Sequence, residues 1–192
     1  MDMEKERQLL IKYGRKLVEA GLTKGTGGNL SVFDRASGRV AITPSGIDFF
    51  EIQPEDIVIM DLDGHVLEGN RVPSSEWAMH VMPYKYREDI DAVVHAHTMY
   101  ATILSCLRED LPATHYMIAV AGENVRVAEY ATFGSMELAK NAFDAMKDSR
   151  GYKHKMTDDE IFQEIKDKSG TQFDPELANI FISIKNKILD IK

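Results

Sequence analysis

Between residues 3 and 20 apolar side chains return every three to four positions, at Leu10, Tyr13, Leu17 and Ala20. That spacing predicts an amphipathic helix, with Gly21 placed to stop it. Strand-like patterns follow. "TKGTGGNLSV" (23–32) reads as a glycine-rich loop running into a strand, "RVAIT" (39–43) as a strand and "PSG" (44–46) as the turn out of it. "DIVIMDLDGHVLEG" (56–69) reads as a hairpin, because Asp63-Gly64 supplies the positive φ that a tight turn needs. Further strands are predicted over 90–97, 115–122 and 124–130. Helices are predicted over 74–86, with serine caps, over 100–107, and from about Ser135 through "MELAKNAFDAM".

The end of the chain changes in kind. "TDDEIFQEIKDK" opens with a capping box, Thr157 followed three residues later by Glu160. In "FDPELANIFISIKNKILDIK" Asp174 is placed as a cap and Pro175 at the first helical position. Leu177, Ile180, Phe181, Ile184 and Ile188 then recur at helical spacing. Strands dominate up to residue 130 and helices follow.

Composition narrows the possible partners. The 192 residues carry 23 basic and 31 acidic side chains, a net charge of −8, which argues against a nucleic-acid partner. An anionic small substrate fits, since one pocket can be positive on an acidic protein. Cys106 is the single cysteine, so no internal disulfide forms, as suits a reducing cytoplasm. The start, "MDMEKERQLL", lacks the pattern of a signal peptide, and no apolar run is long enough for a membrane span. A soluble cytoplasmic protein of one main domain is expected.

Candidate chemistry gathers at four places. His95 and His97, in "VVHAH", point the same way if their segment is a strand, which is half of a zinc site or a pair of hydrogen-bonded histidines. "VPSSEW" (72–77) sets Ser74, Ser75 and Glu76 at a helix start, where an anion, a carboxylate acid/base or simple capping would all be at home. "GTGGNLS" (25–31) lets backbone approach a ligand beside Thr26 and Asn29, but it lacks the strand-before, helix-after context of a dinucleotide loop. "TPSG" (43–46) is a plain turn or a second anion-contacting one.

The series GTGGNLS, TPSG, PSSEW, HAH, HYMIAVAG and EYATFG, in uninterrupted order over about residues 5–145, resembles the class II aldolase and adducin-type family, in particular its fuculose-phosphate branch. The resemblance implies an α/β fold around a mainly antiparallel central sheet flanked by helices, with a helical C-terminal tail, assembled as a homotetramer. It implies Zn2+ on His95 and His97, Glu76 as catalytic acid/base, and Tyr116 as a proton donor reaching a neighbouring subunit's site. Thr26, Asn29, Ser45, Gly46, Ser74 and Ser75 would bind the substrate phosphate. The implied reaction is reversible cleavage of a sugar 1-phosphate to dihydroxyacetone phosphate and lactaldehyde. A related sugar-phosphate dehydratase and an inactive binding or assembly module are the alternatives.

The pattern breaks near the end. The family supplies a third zinc-ligand histidine in a segment resembling "LLxNHG", and nothing like it follows Ala139. Residues of about 140–192, from "FDAM" through "SGTQFDPE", instead resemble the C-terminus of HD-GYP-type phosphodiesterases. That family's HD ligands are absent here and Asn141 stands where it uses an aspartate, so cyclic-dinucleotide hydrolysis is not expected. The expected organisation is an aldolase-like domain over 1–145 and a helical tail over 146–192, joined within the helix around 137–146. Loss of the family's last strand and helices predicts an uncovered sheet edge or apolar face. Of the remaining histidines, His65, His80, His115 and His154, only His154 follows the break, where it reads as a solvated loop residue, and His80 and His115 read as structural.

Overall fold

The computed structural model describes residues 3–114, 124–148, 158–167, 169 and 175–183. The chain divides into two units, Met1–Arg150 and Gly151–Lys192. In the first, strands β1 (Asn29–Asp34), β2 (Arg39–Ile42), β3 (Val58–Met60), β4 (Val66–Glu68) and β5 (Ala92–His95) form one sheet in the order β4-β3-β2-β1-β5. Every neighbouring pair is antiparallel. This is the mixed α/β, antiparallel-sheet fold expected from the sequence.

Both faces of the sheet are covered. Helix α1 (Glu4–Glu19) packs on one face, where Leu10, Ile11 and Leu17 meet Leu30, Ala41 and Ile59. On the other face Phe33, Val40, Ile42, Val58 and Met60 pack with Val81 and Tyr84 of helix α2 (Trp77–Tyr86). The alternation of side chains along β2 and β3 therefore feeds two cores, which is why "IVIM" is apolar throughout instead of alternating with polar residues. Gly64 turns β3 into β4 with φ of 86°, and the Trp77 ring lies where its Cβ would be.

Several elements depart from the sequence pattern. The buried stripe of α1 is Arg7, Leu10, Ile11, Gly14 and Leu17, whereas Tyr13 and Ala20 face outward. The stripe rotates because the Phe49 ring rests on Gly14, where no side chain holds it off. Arg7 is buried among carbonyls, donating to Pro54 O at 2.8 Å and Ile57 O at 2.5 Å and pairing with Glu68 at 2.9 Å. Helix α2 starts at Trp77, so the serines do not cap it; Ser74 Oγ instead accepts the Glu76 N–H at 3.3 Å in the turn before the helix. The strand expected over 124–130 is reduced to one bridge between Val125 and Leu111, and the one over 115–122 lies outside the described residues. The caps Thr157 and Asp174 lie outside them as well.

Helix α4 (Met136–Asp148) packs on α2, with Ala139 buried and Phe143 against Tyr86. Helix α3 (Met99–Leu107) buries none of its side chains, and Met99, Tyr100, Ile103 and Leu107 are exposed beside the edge strand β5. An apolar face is thus open next to a sheet edge among the described residues. In the second unit α5 (Asp158–Asp167) and α6 (Pro175–Ser183) contact each other, and Pro175 opens α6 as its sequence position suggests. Among the described residues no helix is long and apolar enough to cross a membrane.

Candidate active site

Three elements meet at one end of the sheet. Asn29 opens β1 and sits opposite His95, the last residue of β5. Gly28, just before Asn29, has φ of 78°, and a Cβ there would lie 2.7 Å from the His95 carbonyl oxygen. Only glycine lets the loop close onto the histidine strand. Glu76 enters from the start of α2 and is 5% exposed.

Their side chains converge. Glu76 Oε2 lies 3.2 Å from His95 Nε2, and His95 Nε2 lies 2.9 Å from His97 Nε2, with the two rings nearly perpendicular. β5 ends at His95, so His97 stands one step past the strand and still turns back to the same point. One carboxylate oxygen and two imidazole nitrogens, all within 4.8 Å of one another, make a donor set suited to a divalent cation. Burial lowers the pKa of His95, Glu76 acts against that, and His97 adds to it. The net direction favours the neutral ring that ligates metal.

Behind Glu76 lies a line of buried polar groups. Asn29 Nδ2 donates to Glu76 Oε2 at 2.9 Å, and Asn29 Oδ1 faces His80 Nε2 at 2.5 Å. His80 Nδ1 meets Ser31 Oγ at 2.7 Å, and Ser31 Oγ meets the Tyr84 hydroxyl at 2.6 Å. Burial, helped by His95, lowers the His80 pKa to about 3, so its ring is neutral. Burial also pushes the Tyr84 phenol well above its ordinary range. His80 was readable only as structural from its sequence position, and Ser31 and Tyr84 gave no separate signal. A clue was present in the spacing: Glu76, His80 and Tyr84 are four apart on one helix, and Asn29 and Ser31 are two apart on one strand.

The expected phosphate contacts fall into groups. Ser45 N–H donates to Val72 O at 3.0 Å and Ser74 N–H to Thr43 O at 3.1 Å, around a bridge between Pro44 and Pro73. The turn holding Ser45 and Gly46 is thereby fastened to the segment holding Ser74 and Ser75. Gly134, from "ATFG", approaches the Ser75 carbonyl so closely that a Cβ would lie 3.0 Å away. Thr26 is exposed on the glycine-rich loop, whose shape is braced by Thr23 Oγ1 donating to Gly27 O at 2.8 Å. Asn29 already spends its amide oxygen on His80 and one amide hydrogen on Glu76. Tyr116, His115 and His154 lie outside the described residues.

An antiparallel α/β sheet carrying a carboxylate and two histidines at one end defines a candidate metal-assisted enzyme. Residues 8–156 match the family described as Class II Aldolase and Adducin N-terminal domain, and the chain belongs to that family. It is 53% identical over 150 residues to the 5-deoxy-D-ribulose 1-phosphate aldolase of Bacillus thuringiensis serovar kurstaki, covering 78% of this chain and 70% of that one. It is 40% identical over 151 residues to the L-fuculose phosphate aldolase of Escherichia coli K12, covering 78% and 69%. A solved L-fuculose 1-phosphate aldolase superposes with a TM-score of 0.75 at 67% identity, covering 78% of this chain and 71% of that one. The chain thus spans about seven-tenths of the length of these relatives. The family match runs past the boundary expected at 145/146, and none of these matches supports the resemblance of residues 140–192 to HD-GYP-type phosphodiesterases.

Proposed function

We propose that the chain is a metal-dependent aldolase of deoxyketose 1-phosphates, cleaving them to dihydroxyacetone phosphate and a short aldehyde. The observation that carries this reading is the convergence of Glu76, His95 and His97 on one point. The names of the relatives support the substrate class, since 5-deoxyribulose 1-phosphate and fuculose 1-phosphate share the same phosphorylated end. Cleavage of the former would leave acetaldehyde, and of the latter lactaldehyde.

Glu76, His95 and His97 would hold the cation, Zn2+ on this reading, and the donor set fits it. Bound there, it would supply Lewis acidity toward negative charge developing on substrate oxygens. The residues do the rest. Glu76 moves a proton: as the C3–C4 bond breaks, the C4 hydroxyl loses its proton and C3 gains one. Ser45, Gly46, Ser74 and Ser75 lie on the two fastened segments that would receive the phosphate, with Thr26 and the free amide hydrogen of Asn29 contributing from the loop and β1. These are neutral donors, consistent with a chain of net charge −8. Tyr116 is assigned as the proton donor on the family resemblance alone, and a cytoplasmic homotetramer belongs to the same reading.

A second reading is an aldolase fold that binds without turnover. The open apolar face around α3 and the lack of the third histidine segment after Ala139 favour it. Turnover assays decide between the two. The zinc-loaded chain is expected to release dihydroxyacetone phosphate from 5-deoxyribulose 1-phosphate or fuculose 1-phosphate and to ignore the unphosphorylated sugars. Glu76→Gln should lower that rate by about 10²–10⁴. Cleavage that survives Glu76→Gln unchanged would remove Glu76 from its role, and no cleavage at all would favour the binding module.

A further inference from the structure

Five polar side chains occupy a line where apolar ones would pack more cheaply. Tyr84, Ser31, His80, Asn29 and Glu76 are each 6% exposed or less. Buried polar groups are costly unless every donor finds an acceptor, and here the directions can be worked out. The Glu76 carboxylate can only accept, so Asn29 must present its NH2 there and its oxygen to His80. His80 Nε2 therefore carries the hydrogen, and Nδ1 is the bare acceptor. Ser31 Oγ–H must donate to that Nδ1, leaving Ser31 Oγ to accept from the Tyr84 hydroxyl. The whole line has one self-consistent direction.

We infer that Ser31, His80 and Tyr84 are positioning residues that hold Asn29, and through it the Glu76 carboxylate, in one orientation beside His95 and His97. The inference deepens the aldolase reading and rests on it only for the consequence on turnover. The line orients and does not conduct, because the Asn29 amide interrupts it: an amide N–H is a poor proton relay. Its effect is to aim one particular oxygen, Oε2, at His95. Tyr84 anchors the far end, stacked on Phe33 with ring centroids 5.2 Å apart. Groups hydrogen-bonded to a ligand, as Asn29 is to Glu76, fix its rotamer, and their loss commonly costs about ten- to a hundredfold in metal affinity or activity; His80 acts one hydrogen bond further back.

The test uses the full chain, 15N-labelled and metal-free, followed by turnover. Long-range proton–nitrogen spectra should show His80 protonated at Nε2 and bare at Nδ1. In His80→Leu the Asn29 side-chain amide should exchange with solvent about tenfold faster, as expected for one lost buried hydrogen bond. In His80→Gln the new amide can still donate to Asn29 Oδ1, so exchange should stay within about twofold of wild type. Should His80→Leu fail to fold, Ser31→Ala removes only the hydroxyl: Asn29 Oδ1 still takes the Nε2–H, so the tautomer should hold, while the ring loses its Nδ1 partner and Asn29 side-chain exchange should rise about threefold. An Nδ1–H tautomer in the wild type overturns the inference. So does unchanged Asn29 exchange in folded His80→Leu or, where that variant does not fold, in Ser31→Ala. In the zinc-loaded chain, kcat on 5-deoxyribulose 1-phosphate should fall about ten- to a hundredfold in His80→Leu with KM unchanged, and recover in His80→Gln. A wild type that does not cleave would sink the aldolase reading while the spectra still decide the positioning. A wild type that cleaves, with kcat unmoved in His80→Leu, would overturn the positioning alone.

Discussion

Asn29 stands between two groups that cannot bond each other directly: its NH2 lies 2.9 Å from Glu76 Oε2 and its oxygen 2.5 Å from His80 Nε2. One amide thus satisfies a buried carboxylate and a buried imidazole at once. Asn29→Ala would remove one buried hydrogen bond from each, leaving His80 Nε2–H without an acceptor and Glu76 with only its His95 contact, at a cost of about 3 kcal/mol in folding stability. Asn29→Asp should be worse at neutral pH, where two carboxylates would face each other at hydrogen-bond distance, and should recover as the pH falls toward 4. Urea unfolding of the two variants at both pH values checks the order. Equal stability of Asn29→Asp and wild type at neutral pH would show that the Glu76–Asn29 contact is not buried as described.

His80 makes the fold sensitive to acid. Burial lowers its pKa to about 3, against 6.5 for an ordinary imidazole. Between these values the unfolded chain binds a proton that the folded one refuses, so stability rises with pH across that window and is lost on going down it. From pH 6.5 to 5 the loss from this one group approaches about 2 kcal/mol. His80→Gln carries no such proton. The fall in unfolding free energy from pH 7 to 5 should therefore be shallower in His80→Gln than in wild type, whatever other groups contribute to both. Parallel curves would mean that His80 titrates normally.

The parts legible in the sequence were those encoded by local pattern. The amphipathic first helix, the Asp63-Gly64 hairpin and the start of α6 at Pro175 all follow from short-range rules, and the structure has them. The spacing of His95 and His97 marked them as a pair facing one point and the serine pair marked Glu76 as a candidate acid/base; the structure brings the three side chains together, although β5 stops at His95. What the sequence concealed depends on packing between distant segments. The buried face of α1 is set by Phe49, 35 positions from Gly14, and no periodicity within the helix reports it. Ser31 is an unremarkable small residue until α2 lays His80 and Tyr84 on it. Extended residues over 124–130 look like a strand, yet a ladder needs a partner along its length, and Val125 finds only Leu111.

Gly28 is where the glycine-rich loop meets the histidines. Its φ of 78° disfavours any side chain, and a Cβ would press to 2.7 Å on a backbone oxygen that cannot swing away, His95 O. Gly28→Ala should therefore cost about 2 kcal/mol and weaken metal binding, because the strand end carrying His95 must shift. Gly25 also has a positive φ, of 58°, but open space around its Cβ. Gly25→Ala should cost about 1 kcal/mol and leave metal binding alone. Chemical unfolding paired with a Co2+ titration separates the two. Equal effects on metal binding would show that the close approach to His95 has no part in building the site.

The candidate metal site makes the sharpest demand. Three residues from two segments, Glu76, His95 and His97, offer donor atoms that all lie within 4.8 Å of one another. A carboxylate and two imidazoles converging on one point suit a divalent cation, so Zn2+ should bind the chelator-stripped chain with a stoichiometry of about one. His95→Ala and His97→Ala should each weaken it by on the order of a hundredfold or more, since each removes a ligand and leaves fewer than three. The pH dependence should also be distinctive. Because burial keeps the His95 pKa below the usual imidazole value, protons compete with zinc at that ligand at lower pH than they would at a solvated imidazole. Calorimetric titration at pH 7 and 6 reads both features, with chelator-stripped protein as the starting point. Binding that is indifferent to either histidine would mean the three donors are a hydrogen-bonded cluster and nothing more.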